Sequence, residues 1–182
     1  MKIILAVTGA SGISYALVLA KALQKHQLFI VVTDSAKKVM MHEEPDALSE
    51  LKKCGAVFEE HAIDAPIASG SFKADAMIVC PCSMKTLAAI ACGFSHNLVA
   101  RAADVMIKER KPLVLVLREM PLSAIHLENA LKLARLGVVI IPASPGFYHK
   151  PKKIEDLVNH VAGKVLDIIG LENELFKRWG SK

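Results

Sequence analysis

Residues 2–12 read Lys2-Ile3-Ile4-Leu5-Ala6-Val7-Thr8-Gly9-Ala10-Ser11-Gly12 and run straight into a helical pattern that starts at Ile13. Six consecutive residues, mostly aliphatic, predict a strand buried on both faces. Ile13, Ala16, Leu17, Ala20 and Leu23 then repeat on one helical face, predicting a helix from about Ile13 to His26. Between them, Gly9 and Gly12 permit a tight turn and close backbone approach, and the helix N-terminus offers free N–H groups to an anion. The pattern is not G-x-G-x-x-G, so a dinucleotide is not indicated. An ordinary strand-to-helix turn remains the alternative.

The same alternation continues outward. Strands are predicted at Leu28–Thr33, Ala56–Glu59, Ala76–Cys80, Leu113–Leu117 and Val138–Ile141. Helices are predicted at Ser35–Glu43, Asp46–Lys53, Met84–Cys92, Leu98–Glu109, Leu122–Leu136 and Ile154–Ile169. Strands alternating with helices imply an α/β fold with a parallel sheet covered on both faces, and ligands held beyond the carboxyl ends of the strands. No linker, repeat or low-complexity segment divides the chain, so residues 1–182 are expected to form one domain.

Composition narrows the function. Hydrophobic residues make up 53% of the 182, an excess suited to a buried sheet, to subunit interfaces, or to both. No apolar run approaches the roughly 18 residues of a membrane helix, and Lys2–Val7 is too short for a signal-peptide core. A cytoplasmic protein without membrane association is expected. The net charge is +5 and the pI about 9.0, which favours anionic ligands. The charges are scattered and aromatics are only 5%, so no nucleic-acid platform is expected. Cys54, Cys80, Cys82 and Cys92 are too few and too irregularly spaced for a disulfide framework. They read as reduced thiols, with Cys80-Pro81-Cys82 a weak candidate for a metal.

Further chemistry-bearing loops follow other strands. Cys80-Pro81-Cys82-Ser83-Met84-Lys85-Thr86 sets the Ser83 and Thr86 hydroxyls where a helix begins, one of them an N-cap candidate. With the first loop it could form a convergent site for one phosphate and its sugar. Ala68-Ser69-Gly70-Ser71 precedes a strand and reads as a polar loop. Arg101, Lys108 and Arg118 fall around Leu113–Leu117. Arg118 could bind a phosphate and Glu119 could shuttle a proton, or the two could be a solvated ion pair. Tyr148 in Pro145-Gly146-Phe147-Tyr148-His149 is either packing or a phosphate donor. His126 and His149 read as structural hydrogen-bonders. No D-D-x-x-D, H-E-x-x-H or G-x-S-x-G motif occurs, so phosphate chemistry would rest on Lys, Arg and Tyr, with no metal residues assigned.

Taken in order, these segments resemble the UbiX family of flavin prenyltransferases. The likeness is carried by residues 8–12, 68–71 and 81–83, by Arg101-Ala102-Ala103-Asp104-Val105, Lys108-Glu109-Arg110 and Arg118-Glu119, and by His126-Leu127-Glu128-Asn129 and residues 145–149. It spans about Ile3 to Trp179. The resemblance implies a flavodoxin-like, three-layer Rossmann-like sandwich assembled as a homo-oligomer, a dodecamer with the site between subunits. It implies an enzyme that joins the dimethylallyl group of dimethylallyl phosphate to N5 and C6 of reduced FMN. The prenylated FMN product would serve a UbiD-type decarboxylase.

Residue roles follow from the same resemblance. Gly9, Ala10, Ser11, Thr33, Ser83, Met84, Lys85, Thr86 and Arg118 would bind FMN. Ser11 and Glu43 would handle protons near N5. Arg101, Lys108, Glu119, Tyr148 and Lys164 would surround the prenyl phosphate, with Glu119 also catalytic, and Trp179 would line the prenyl group. Such residues suit the chemistry, because a departing phosphate gathers negative charge that fixed cations and a phenol can stabilise. An allyl cation likewise needs electron-rich π surface. Three positions depart from some relatives: Lys164 replaces Arg, Ile63 replaces Trp, and Met120 stands where Thr or Ala is common.

Two rival readings stand beside this one. An FMN-dependent cysteine decarboxylase of this fold usually carries P-x-M-N and a histidine on an early helix. Here Pro81-Cys82-Ser83-Met84 stands instead, with no histidine between Gly12 and Lys25. A non-enzymatic flavin carrier would have no use for Lys108, Glu119 and Tyr148 together.

Overall fold

Six strands pair side by side, all parallel, in a computed structural model that describes residues 1–180. They are β1 (Lys2–Val7), β2 (Gln27–Val32), β3 (Ala56–Glu59), β4 (Ala76–Cys82), β5 (Leu113–Leu117) and β6 (Val139–Pro142). Their order is β3-β2-β1-β4-β5-β6, so the chain reverses its direction of travel across the sheet between β1 and β4. A doubly wound sheet opens a crevice at that point, beyond the carboxyl ends of the two central strands.

Period-two alternation sorts the core into two layers. Ile3, Leu5 and Val7 of β1 face one cluster. It is packed by α1 (Ile13–Leu23), α2 (Asp34–Glu43), α3 (Ala47–Cys54) and α7 (Ile154–Ile168). Ile4 and Ala6 face the other, which is closed by α4 (Met84–Cys92), α5 (Leu98–Lys108) and α6 (Ala124–Arg135). The three-layer sandwich expected from the sequence is therefore present. Among the described residues no helix is long and apolar enough to cross a membrane.

The elements differ from the sequence reading mainly at their ends. β4 does not stop at Cys80; it continues through a cis Cys80–Pro81 peptide to Cys82, with a register shift against β5 between Val79 and Cys82. A proline donates nothing to a ladder. The Pro81 carbonyl nevertheless accepts from Thr8. The shift also breaks the alternation, so Cys80 packs into one core layer and Cys82 into the other. Both thiols are fully buried, and desolvation pushes their pKa values up. The stretch read as a polar loop around Ala68–Ser71 forms two 3-10 turns, Pro66–Ala68 and Gly70–Phe72.

Candidate functional site

The crevice between β1 and β4 is assembled by Thr8, which the sequence reading passed over. Its hydroxyl donates to the Pro81 carbonyl at 2.7 Å and accepts from the Ser83 amide at 2.9 Å. The side chain is buried at 1% exposure, so these bonds hold the two loops in fixed relation. A polar residue closing an apolar strand was the available signal.

Each loop then starts a helix in a different way. Gly12 stands before α1 at φ 104°, left-handed backbone that favours glycine, and has no capping side chain. The exposed amides of α1 are taken instead by Glu43 from the end of α2. Its carboxylate accepts from Gly12 at 2.8 Å and from Ile13 at 3.0 Å. The expectation that this helix end would offer its amides to an external anion is corrected in part: an internal carboxylate takes those of Gly12 and Ile13. Gly9 answers first to packing. A Cβ there would lie 2.3 Å from the Cβ of Ser35, so the glycine admits α2.

The start of α4 is arranged differently. Ser83 is its N-cap, accepting from the Thr86 amide at 3.3 Å, and the two hydroxyls lie 3.1 Å apart. The amides of Met84 and Lys85 have no acceptor among the described residues. Thr33 caps α2 with its hydroxyl, at the carboxyl end of β2 on the other side of β1.

Charge completes this region. Partial burial pulls the Glu43 carboxyl upward. The Ser11 hydroxyl, the Ile13 and Gly12 amides, and the Arg118 guanidinium outweigh it and hold the pKa below the usual carboxylate range. Ser11, Glu43 and Arg118 are thus one electrostatic group. Arg118 enters from the carboxyl end of β5, its amide bonded to the Cys82 carbonyl at 3.4 Å. Its Nε is buried without a hydrogen-bond partner among the described residues. A buried guanidinium nitrogen so placed calls for an acceptor that the chain does not supply. Glu119, exposed beside it, accepts from the Met120 amide at 3.1 Å.

A second group gathers beyond β6. The Tyr148 ring is edge-on to Trp179 at 5.3 Å and to His160 at 5.5 Å, and His160 meets Phe176 at 4.7 Å. Tyr148, Lys150, Lys177, Arg178 and Trp179 line a cleft of about 480 Å³. Lys164 lies one helical turn from His160 and 3.7 Å from Asp167, which Arg178 grips with both terminal nitrogens at 2.7 and 2.8 Å. His149 is corrected here. Its ring nitrogens are buried without hydrogen-bond partners, and the ring stacks parallel on His160 at 5.1 Å. His126 does hydrogen-bond, in the capping box that begins α6.

Among the described residues Arg101 and Lys108 bond to neither group. Arg101 donates from Nε to the Ala68 carbonyl at 3.0 Å and pairs with Asp104. Lys108 ends α5 ahead of the amino end of β5, whereas Arg118 follows its carboxyl end. The length of a strand separates them, about 16 Å for five residues.

The profile of the Flavoprotein family matches residues 1–166. Over 183 aligned residues the chain is 48% identical to the flavin prenyltransferase UbiX of Methanocaldococcus jannaschii, covering all of both chains. The dodecameric FMN-dependent UbiX-like decarboxylase of Escherichia coli O157:H7 superposes with a TM-score of 0.96 at 44% identity, over all of both chains. AnUbiX, solved with FMN and dimethylallyl pyrophosphate, gives 0.95 at 43% identity, over 99% of this chain and 97% of that one.

Proposed function

This chain belongs to the UbiX flavin prenyltransferases of the Flavoprotein family, and on that premise we propose how its own residues carry out prenyl transfer to reduced FMN. The observation that carries the reading is the buried, unpartnered Arg118 Nε, on a guanidinium whose charge reaches Glu43 of the Ser11–Glu43 pair. FMN fits the crevice between β1 and β4. Its phosphate would take the unclaimed Met84 and Lys85 amides and the Ser83 and Thr86 hydroxyls at the positive end of α4. Gly9, Ala10, Thr33 and Arg118 would border the rest. When bound, reduced FMN supplies the nucleophilic ring atoms.

The residues around it would control charge and protons. Glu43 stays ionised, and Ser11 lies hydrogen-bonded to it, suited to take a proton at flavin N5 and pass it to the carboxylate. The donor would be dimethylallyl phosphate. Its carbon–oxygen bond breaks and the electron pair leaves with the phosphate. Lys164 and the Tyr148 hydroxyl would stabilise that phosphate, and Glu119 would deliver a proton to it. Trp179 would face the prenyl group, whose cationic character its ring favours. These roles need no metal. Arg101 and Lys108 would join from a neighbouring copy, in a homo-oligomer such as the dodecamer of the Escherichia coli relative. Exposed Ile125, Leu127 and Leu131 on α6 suit such contacts. A UbiD-type decarboxylase would use the product, in the cytoplasm, and residues 1–182 would act as one domain.

Anaerobic incubation with reduced FMN and dimethylallyl phosphate, followed by mass analysis of the extracted flavin, tests this. A mass gain of one five-carbon prenyl unit is expected, and an unmodified flavin would overturn the assignment. Parallel incubation with the pyrophosphate decides the donor.

A further inference from the structure

We infer that His160 is a positioning residue that fixes the hydrogen-bond polarity of Tyr148, leaving the phenol hydrogen for an oxygen of the prenyl donor's phosphate. The inference rests on the prenyl-transfer reading and adds to it a residue outside the set resembling the family's.

One hydrogen bond at His160 has an unambiguous direction. The Gly146 amide donates to Nδ1 of His160 at 3.2 Å. A backbone N–H cannot accept, so Nδ1 carries no hydrogen. In the neutral ring the hydrogen then lies on Nε2. Nε2 is 3.2 Å from the Tyr148 hydroxyl oxygen, so it donates and the phenol accepts. The phenol's own hydrogen must point elsewhere, out of the His160 contact. A phenol held this way donates to an incoming anion without first breaking a bond to the protein.

The surroundings favour the neutral ring. His160 is buried at 8% exposure. Burial lowers its pKa, and the His149 ring and the Lys164 ammonium push in the same direction. Protonation would put a hydrogen on Nδ1 against the Gly146 amide. Close packing holds the arrangement: Phe176 covers the ring, and a Cβ on Gly146 would come within 3.0 Å of Tyr148 and 3.4 Å of His160.

Two measurements test this. Solid-state ¹⁵N NMR of histidine-labelled protein, with His160 assigned by its loss in His160→Gln, should show the neutral ring protonated on Nε2. A hydrogen on Nδ1 would overturn the inference without reference to catalysis. The second is a double-mutant cycle with His160→Phe, which keeps a ring against Phe176 and Tyr148 but removes both hydrogen bonds. With reduced FMN and dimethylallyl phosphate, kcat should fall about tenfold with FMN affinity unchanged, and His160→Gln should recover part of the loss. In a Tyr148→Phe background the same change should cost almost nothing. An undiminished cost there, or wild-type kcat in His160→Phe, overturns the inference. A wild-type protein that forms no prenylated flavin overturns the prenyl-transfer reading itself, while an indifferent variant of an active enzyme overturns this inference alone. If His160→Phe does not fold, the tautomer decides.

Discussion

The crevice between β1 and β4 and the aromatic cluster beyond β6 are built on opposite plans. The crevice is main-chain architecture. Thr8 ties two loops, Ser83 caps one helix, and Glu43 caps another. The cluster is side-chain architecture, held by ring contacts among Tyr148, His149, His160, Phe176 and Trp179. Much of it is open: Trp179 is 81% exposed and Tyr148 41%, against 1% for Thr8 in the crevice. The difference suggests a division of labour. Backbone amides suit a phosphate that stays put, whereas rings suit an apolar group that must enter and be transferred.

That contrast can be broken at several points. Glu119 is exposed beside Arg118, on the rim where the two regions would meet around the donor. Glu119→Gln should lower prenyl transfer about a hundredfold while FMN still binds, read by single-turnover kinetics. Unchanged turnover would remove Glu119 from the proton step. Arg118→Ala should act on the crevice alone. Losing a charged hydrogen-bond donor should weaken FMN binding about tenfold to a hundredfold, measured by flavin fluorescence quenching. Wild-type affinity would show that the orphaned Nε has no acceptor in FMN.

Gly163→Ala sharpens the other side. A Cβ there would fall 2.5 Å from a ring carbon of Phe176 and 2.8 Å from Asn173, so the segment leading to Trp179 must lift off α7. A loss of about 1–3 kcal/mol in urea unfolding is expected, with FMN affinity intact. The smallest effect concerns Glu43. Its folded-state pKa lies below the ordinary value near 4.3, so its contribution is present above that pH and disappears as pH falls through the folded-state value. Glu43→Gln should therefore lower the Tm slightly at pH 7, by an amount that shrinks as the pH is lowered through the acid range. A Tm gap independent of pH would rule out this linkage.

The two plans also differ in how well the sequence discloses them. Strands β1, β2, β4 and β5 were legible because each is a continuous aliphatic run, and α4 because Gly93 ends it in left-handed backbone. A cap at Ser83 or Thr86 was legible because capping is local, a matter of three residues, and the structure gives it to Ser83. Glu43 as the cap of α1 was not, since 31 positions separate it from Gly12. His160 escaped for the same reason. Inside a helical pattern nothing marks a histidine whose partners lie on a loop 12 and 14 residues earlier. The 3-10 turns carried a signal in Pro66 and Ser69, but single turns leave no periodicity to read.

The reversal of strand order has one more consequence. The crevice has one wall from residues before position 45 and another from residues after position 80, stitched through the Thr8 hydroxyl. A small molecule wedged there is therefore a suture between two segments distant in the chain. Its departure should loosen the centre of the sheet, and any slackening of that seam should release it, so occupancy and cohesion report one another by mass action.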